Sequence, residues 1–67
     1  MASAIGLKSG RLRIGVITPI GTVFHWRAFR GSKDSGVSET YEAAKKNTLN
    51  SAGVSERQYE ISETPLK

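Results

Sequence analysis

Five cationic side chains, Lys8, Arg11, Arg13, Arg27 and Arg30, fall within the first 30 residues, and no Asp or Glu precedes Asp34. Cations in such a cluster attract an anionic partner rather than make or break bonds. Residues for other chemistry are sparse. The chain has no cysteine and a single histidine, His25, which excludes Cys-based metal sites and disulfides and cannot hold a metal alone. A serine-type triad would need an acid near His25, and none lies upstream of Asp34. The glycines do not follow a phosphate-loop pattern. Glu39 and Glu42 are three apart at a helix start, where carboxylates ordinarily complement the helix dipole. The reading is therefore of a protein that is not an enzyme, with no catalytic residue, cofactor or metal.

Positioning these cations falls to two strand patterns. From Arg11 to Thr18, Leu12, Ile14 and Val16 alternate with Arg11, Arg13 and Gly15, the period-2 signature of a half-buried strand. From Thr22 to Arg30, Phe24, Trp26 and Ala28 form one face, while Val23, His25, Arg27 and Phe29 form the other. Pro19 and Gly21 suit a three-residue loop at 19–21. That loop would set Ile14 opposite Trp26 and Val16 opposite Phe24. It would also oppose Arg13 to Arg27 and place Gly15 as a bare patch beside His25. Like charges across a strand pair repel by some tenths of a kcal/mol, and a bound anion would reverse the sign. The candidate site is Arg11, Arg13, His25, Arg27, Phe29, Arg30 and Lys33. Arginines are also ordinary cover for the outer face of a twisted sheet, so the cluster has a purely solvating reading beside the functional one.

Residues 31–36 are rich in Ser and Gly and read as a turn, followed by a short strand near Gly36–Glu39 with Val37 inward. Ser38 or Thr40 can cap a helix starting near Tyr41 that buries Tyr41, Ala44, Thr48 and Ala52, with Leu49 at the edge and Gly53 as its stop. Residues 57–63 alternate weakly, which allows a final strand or a disordered tail, and Pro65 would end any ladder. The expected fold is α+β: a small antiparallel sheet, made of a hairpin plus a short third strand, packed on one helix. Residues 1–10 are read as a flexible N-terminus, 11–53 as the domain and 54–67 as a tail.

Sixty-seven residues hold one core, and a chain this short is marginally stable, which leaves room for a homodimer. No apolar run is long enough to span a membrane and no signal peptide is evident, so the location expected is cytoplasmic. Residues 11–53 resemble the sheet-then-helix plan of two DNA-binding groups, the arm-binding domains of tyrosine integrases and the plant ethylene-response-factor domains. The stretch Thr40-Tyr41-Glu42-Ala43-Ala44-Lys45-Lys46 is similar to their helix start. The resemblance implies a three-stranded sheet lying in the DNA major groove, with Arg11, Arg13 and Arg27 as its basic face. The leading expectation is a small nucleic-acid-binding protein that grips phosphates with the hairpin. The alternative is a phage-type adaptor or inhibitor that engages an acidic protein surface, with Phe29, Val23 and Ile17 as anchors.

Overall fold

Two glycine-led turns fold the amino-terminal half into an antiparallel meander. In the computed structural model, which describes residues 4–66, the strands are β1 (Ala4–Ser9), β2 (Leu12–Ile20), β3 (Val23–Ala28) and β4 (Ser35–Ser38). The helix α1 (Tyr41–Ala52) follows, and β5 (Ser62–Leu66) returns to the sheet. The five strands are antiparallel in the order β4-β3-β2-β1-β5. The helix lies across β2, β3 and β4 on one face, so the fold is the expected α+β, with a wider sheet. Residues 4–9, expected to be flexible, are strand β1, with Ile5 and Leu7 alternating against Gly6 and Lys8; Met1–Ser3 lie outside the described residues.

The hairpin register differs from the sequence expectation. Ile20 pairs with Val23, so the loop is Gly21-Thr22, and Ile17 faces Trp26 while Pro19 faces Phe24. Gly21 has a φ of 62°, as a two-residue hairpin with glycine at its first central position requires. Gly10 does the same in the β1–β2 turn with a φ of 60°, which puts Arg11 in that turn rather than in a strand. Among the described residues the pairs of β1 with β2 run from Ser9–Leu12 to Ile5–Ile17, so Pro19 lies beyond the last of them.

A bulge at Ile14 explains the remaining mismatch. Leu7 pairs with Gly15 and Lys8 with Arg13, so Ile14 is the extra residue on β2. The bulge changes which parity faces the helix. Ile14 and Ile17 are both fully buried, although they are three apart. Val16, expected in the core, faces away.

The helix behaves as its sequence suggests. Thr40 Oγ1 accepts the Ala43 N–H at 3.1 Å, and Gly53 closes the helix at a φ of 71° with its N–H directed to the Asn50 carbonyl. Ala44, Thr48, Leu49 and Ala52 are buried against Leu7, Ile14, Ile17 and Ala28. Tyr41 packs edge-on to Phe24 with ring centroids 6.0 Å apart. Val37 does not point inward: it is 52% exposed, and Gly36 and Ser38 take the helix side instead. Glycine is needed at 36 because the Trp26 ring lies over it, 2.9 Å from where a Cβ would sit. Ser38, buried, accepts from Asn47 Nδ2 at 3.0 Å.

The tail does form a strand, but later than its alternation suggests. β5 runs along β1 from Lys8–Ser62 to Ala4–Leu66. Pro65 lies within it, which an edge strand accommodates on its unpaired side. Tyr41 Oη donates to Glu63 Oε1, and Lys45 Nζ lies 3.2 Å from Glu63 Oε2 and 3.3 Å from Glu56 Oε1. These contacts tie β5 and the preceding loop to the helix. Among the described residues no helix is long and apolar enough to cross a membrane.

Candidate nucleic-acid interface

The sheet face opposite the helix carries the cations. The cross-strand pairings define its rows. One runs Ser35, Arg27, Val16, Gly6, Thr64 across all five strands. The next toward the β1–β2 turn is Arg13, Lys8, Ser62, and the next in the other direction is Val37, His25, Thr18. Lys8, Arg13, His25 and Arg27 are all exposed. Strands β1 to β4 contain no Asp or Glu, and Glu63, on β5, turns to the helix side to meet Tyr41 and Lys45. The open face of β1 to β4 thus carries cations and no carboxylate.

The expected opposition of Arg13 and Arg27 is replaced by another. Arg13 faces Lys8, and Arg27 faces Val16. A like-charge pair is still present across the ladder, and it still disfavours the empty face by some tenths of a kcal/mol. Lys8 is the residue that sequence reasoning missed. Its signal was the short Ile5–Leu7 alternation followed by a Gly10-Arg11 turn, together enough for a hairpin. Gly15 does not lie beside His25, whose partner is Thr18. It turns toward the helix, where a Cβ would strike the Thr48 methyl and the Arg27 carbonyl. Its role is close helix–sheet packing.

Two shallow hollows gather the other predicted residues. Arg13 and Phe29 border one of about 350 Å³ with Gly6, Lys8, Val16 and Thr64. His25, Arg27 and Lys33 border a second of about 430 Å³ with Val16, Thr18 and Ser35. Val16 is common to both, so they adjoin. Arg11, at its turn, and Arg30, in the β3–β4 loop, border neither. That loop is fastened to the helix end: Ser32 N–H donates to the Ser51 carbonyl at 2.9 Å and Asp34 N–H to Ser51 Oγ at 3.0 Å. Lys33 is held there with a φ of 55°, left-handed backbone that costs a non-glycine residue about 1 kcal/mol.

A larger hollow, about 680 Å³, lies elsewhere, between α1 and the loop after it. Glu42, Glu56, Lys45 and Arg57 line it, so it has no single sign of charge. The Lys45 side chain is only 22% exposed and is paired with two carboxylates. Burial pulls its ammonium down, but the hydrogen bonds and charges of Glu63 and Glu56 outweigh this and raise it overall. The Tyr41 hydroxyl is raised by burial and by Glu63, and Glu63 is lowered chiefly by the hydrogen bond from Tyr41. This network is structural.

Among the described residues, no group of three or more His, Asp or Glu is placed to hold a metal ion. Compared with known proteins, the chain matches no family model, no curated protein and no solved structure, so its site rests on the geometry just described.

Proposed function

We propose that this protein binds nucleic acid through the open face of its sheet, gripping phosphates with Lys8, Arg13, Arg27 and Lys33. The observation that carries this reading is the cross-strand pair Lys8–Arg13, with Arg27 one row away, on a face whose strands β1 to β4 hold no carboxylate. A phosphate between Lys8 and Arg13 converts a repulsion into two attractions. His25 supplies a further donor near Arg27 and Lys33. Mechanism here means electrostatic capture followed by positioning on a rigid sheet, with released counterions supplying much of the affinity.

The test is binding of labelled DNA, as single strand and as duplex, across a salt series, with dextran sulfate as the polyanion control. Affinity for at least one form should fall linearly in log–log against salt and exceed that for the control. Absence of binding to both forms at about 50 mM salt, where phosphate contacts are strong, overturns the proposal.

A second reading draws on a different part of the same face. Ile20 is 53% and Val37 52% exposed, and with Val23 they make an apolar end beyond His25. This favours an adaptor that buries that end against a protein, with the cations at the rim. Retention of a specific protein partner by the wild type, lost on Ile20→Ser with Val37→Ser and kept on Arg13→Ala, would support it.

A further inference from the structure

We propose that the strand taken by this face is single-stranded, with a base stacked on Phe29; the inference rests on the nucleic-acid reading above. The sheet is wider than the groove of a duplex. The cations Lys8, Arg13 and Arg27 lie on β1, β2 and β3, the three central strands, and β4 and β5 flank them on either side. Five strands spaced about 4.8 Å apart put roughly 19 Å between the outer two before side chains are counted. The major groove of duplex DNA is about 12 Å wide. A three-stranded sheet enters such a groove. Here the flanking strands meet the duplex backbones before the central cations reach the groove floor.

The shape and chemistry of the hollow favour the same ligand. Gly6 stands between Val16 and Thr64 in its row and carries no side chain, which leaves a dip in the sheet surface. Phe29, 42% exposed, borders that dip, with Lys8 and Arg13 on the same rim. An exposed ring beside two cations serves a ligand that offers a flat face and a phosphate together. Bases of a duplex hide their faces in the stack, whereas an unpaired strand presents both groups at every nucleotide. The base lies on Phe29 over Gly6, one flanking phosphate falls between Lys8 and Arg13, and the chain continues toward Arg27, across Val16.

The experiment compares a fluorescein-labelled 12-nucleotide oligothymidine with a 12-base-pair duplex by anisotropy at one low salt concentration. The single strand should bind at least about tenfold tighter. Phe29→Ala should weaken single-strand binding by roughly 5- to 100-fold, the effect of removing one stacking platform, without changing the salt slope. Phe29→Leu keeps the apolar bulk and should be as weak, while Phe29→Tyr should match the wild type. Thermal melts of all three guard against an unfolded variant. Duplex binding equal to or tighter than single-strand binding, or unchanged affinity in both Phe29→Ala and Phe29→Leu, overturns this inference. If the duplex alone binds, with a normal salt slope, the phosphate-gripping function survives and the single-strand proposal falls; if neither form binds, both fall.

Discussion

Thr48 fills the space that a side chain on Gly15 would occupy: the threonine methyl and the Arg27 carbonyl both stand where a Cβ would be. Thr48 is fully buried and returns its hydroxyl to the Ala44 carbonyl at 2.7 Å. The helix can approach β2 this closely because residue 15 has no side chain. Gly15→Ala should therefore destabilise the fold by about 1–3 kcal/mol, the usual range for overpacking. Adding Thr48→Ala should recover only part of it, since the Arg27 carbonyl stays in place. Chemical denaturation of the two variants and the wild type measures this, and full recovery in the double variant would assign the whole clash to Thr48.

Trp26 packs against the core over Gly36, and its buried indole N–H has no hydrogen-bond partner among the described residues. Trp26→Ala should cost about 3–5 kcal/mol, enough to unfold much of so small a domain. Trp26→Phe loses volume but also removes an unsatisfied donor, whose burial costs about 1–3 kcal/mol. The two effects offset, so Trp26→Phe should stay within about 1 kcal/mol of the wild type. A Phe variant as unstable as the Ala variant would mean that the N–H has a partner in solution.

Glu63 ties β5 to the helix, and its carboxyl is held below the ordinary value of 4.5. The unfolded chain therefore binds the proton more readily than the folded one. The contribution of Glu63 is present above that range and is lost as the pH falls through the lowered value of the folded state. Glu63 is 40% exposed, so solvent screening limits the pair energy to about 1 kcal/mol or less. Glu63→Gln should flatten the acid limb of a melting temperature–pH profile and leave the profile near neutrality only slightly lower. An unchanged acid limb would assign acid lability to another carboxylate.

Local signals explain which parts of this fold are legible in the sequence. The helix is readable because Thr40, Gly53 and the Ala44–Thr48–Ala52 stripe act through contacts within a few residues. The buried face of β3, with Phe24, Trp26 and Ala28, is equally plain. The register of β2 is not, because Pro19 is a stronger turn signal than its place in β2 warrants, and because a bulge at Ile14 changes the period where the alternation looks cleanest. β5 has no alternation to detect: Ser62, Glu63 and Thr64 are strand only because β1 offers an edge and Tyr41 and Lys45 hold Glu63. The basic face is legible in kind, through Arg13, Arg27 and Lys33. Its pairing is not, since Lys8 joins it through a strand that the expected flexible terminus hides.

Lys33 sets stability against binding. Its left-handed backbone costs about 1 kcal/mol, and asparagine tolerates that conformation well. Lys33→Asn should raise stability by roughly 0.5–1 kcal/mol while weakening nucleic-acid binding, because one cation leaves the hollow that it shares with His25 and Arg27. Thermal melts and anisotropy on the same protein check both halves. A variant more stable and equally tight would remove Lys33 from the site and leave its conformation a feature of the turn alone.

The basic face makes a quantitative demand on salt dependence. Each phosphate contact with a single strand contributes about 0.7 to the slope of log affinity against log salt. Arg13→Ala and Arg27→Ala should each weaken binding and flatten that slope by about this amount, and the double variant by about twice as much. Neither change should alter stability by more than about 0.5 kcal/mol, because both side chains are exposed, and loss of Arg13 also relieves its repulsion with Lys8. Lys46→Ala is the proper control: Lys46 is exposed on α1, across the molecule from the open face, whereas Lys45 is engaged with Glu56 and Glu63 and its loss would loosen β5. Lys46→Ala should leave both affinity and slope unchanged. If Lys46→Ala flattens the slope as much as the two arginine variants do, the attraction is spread over the whole surface, and the open face has no claim to be the site.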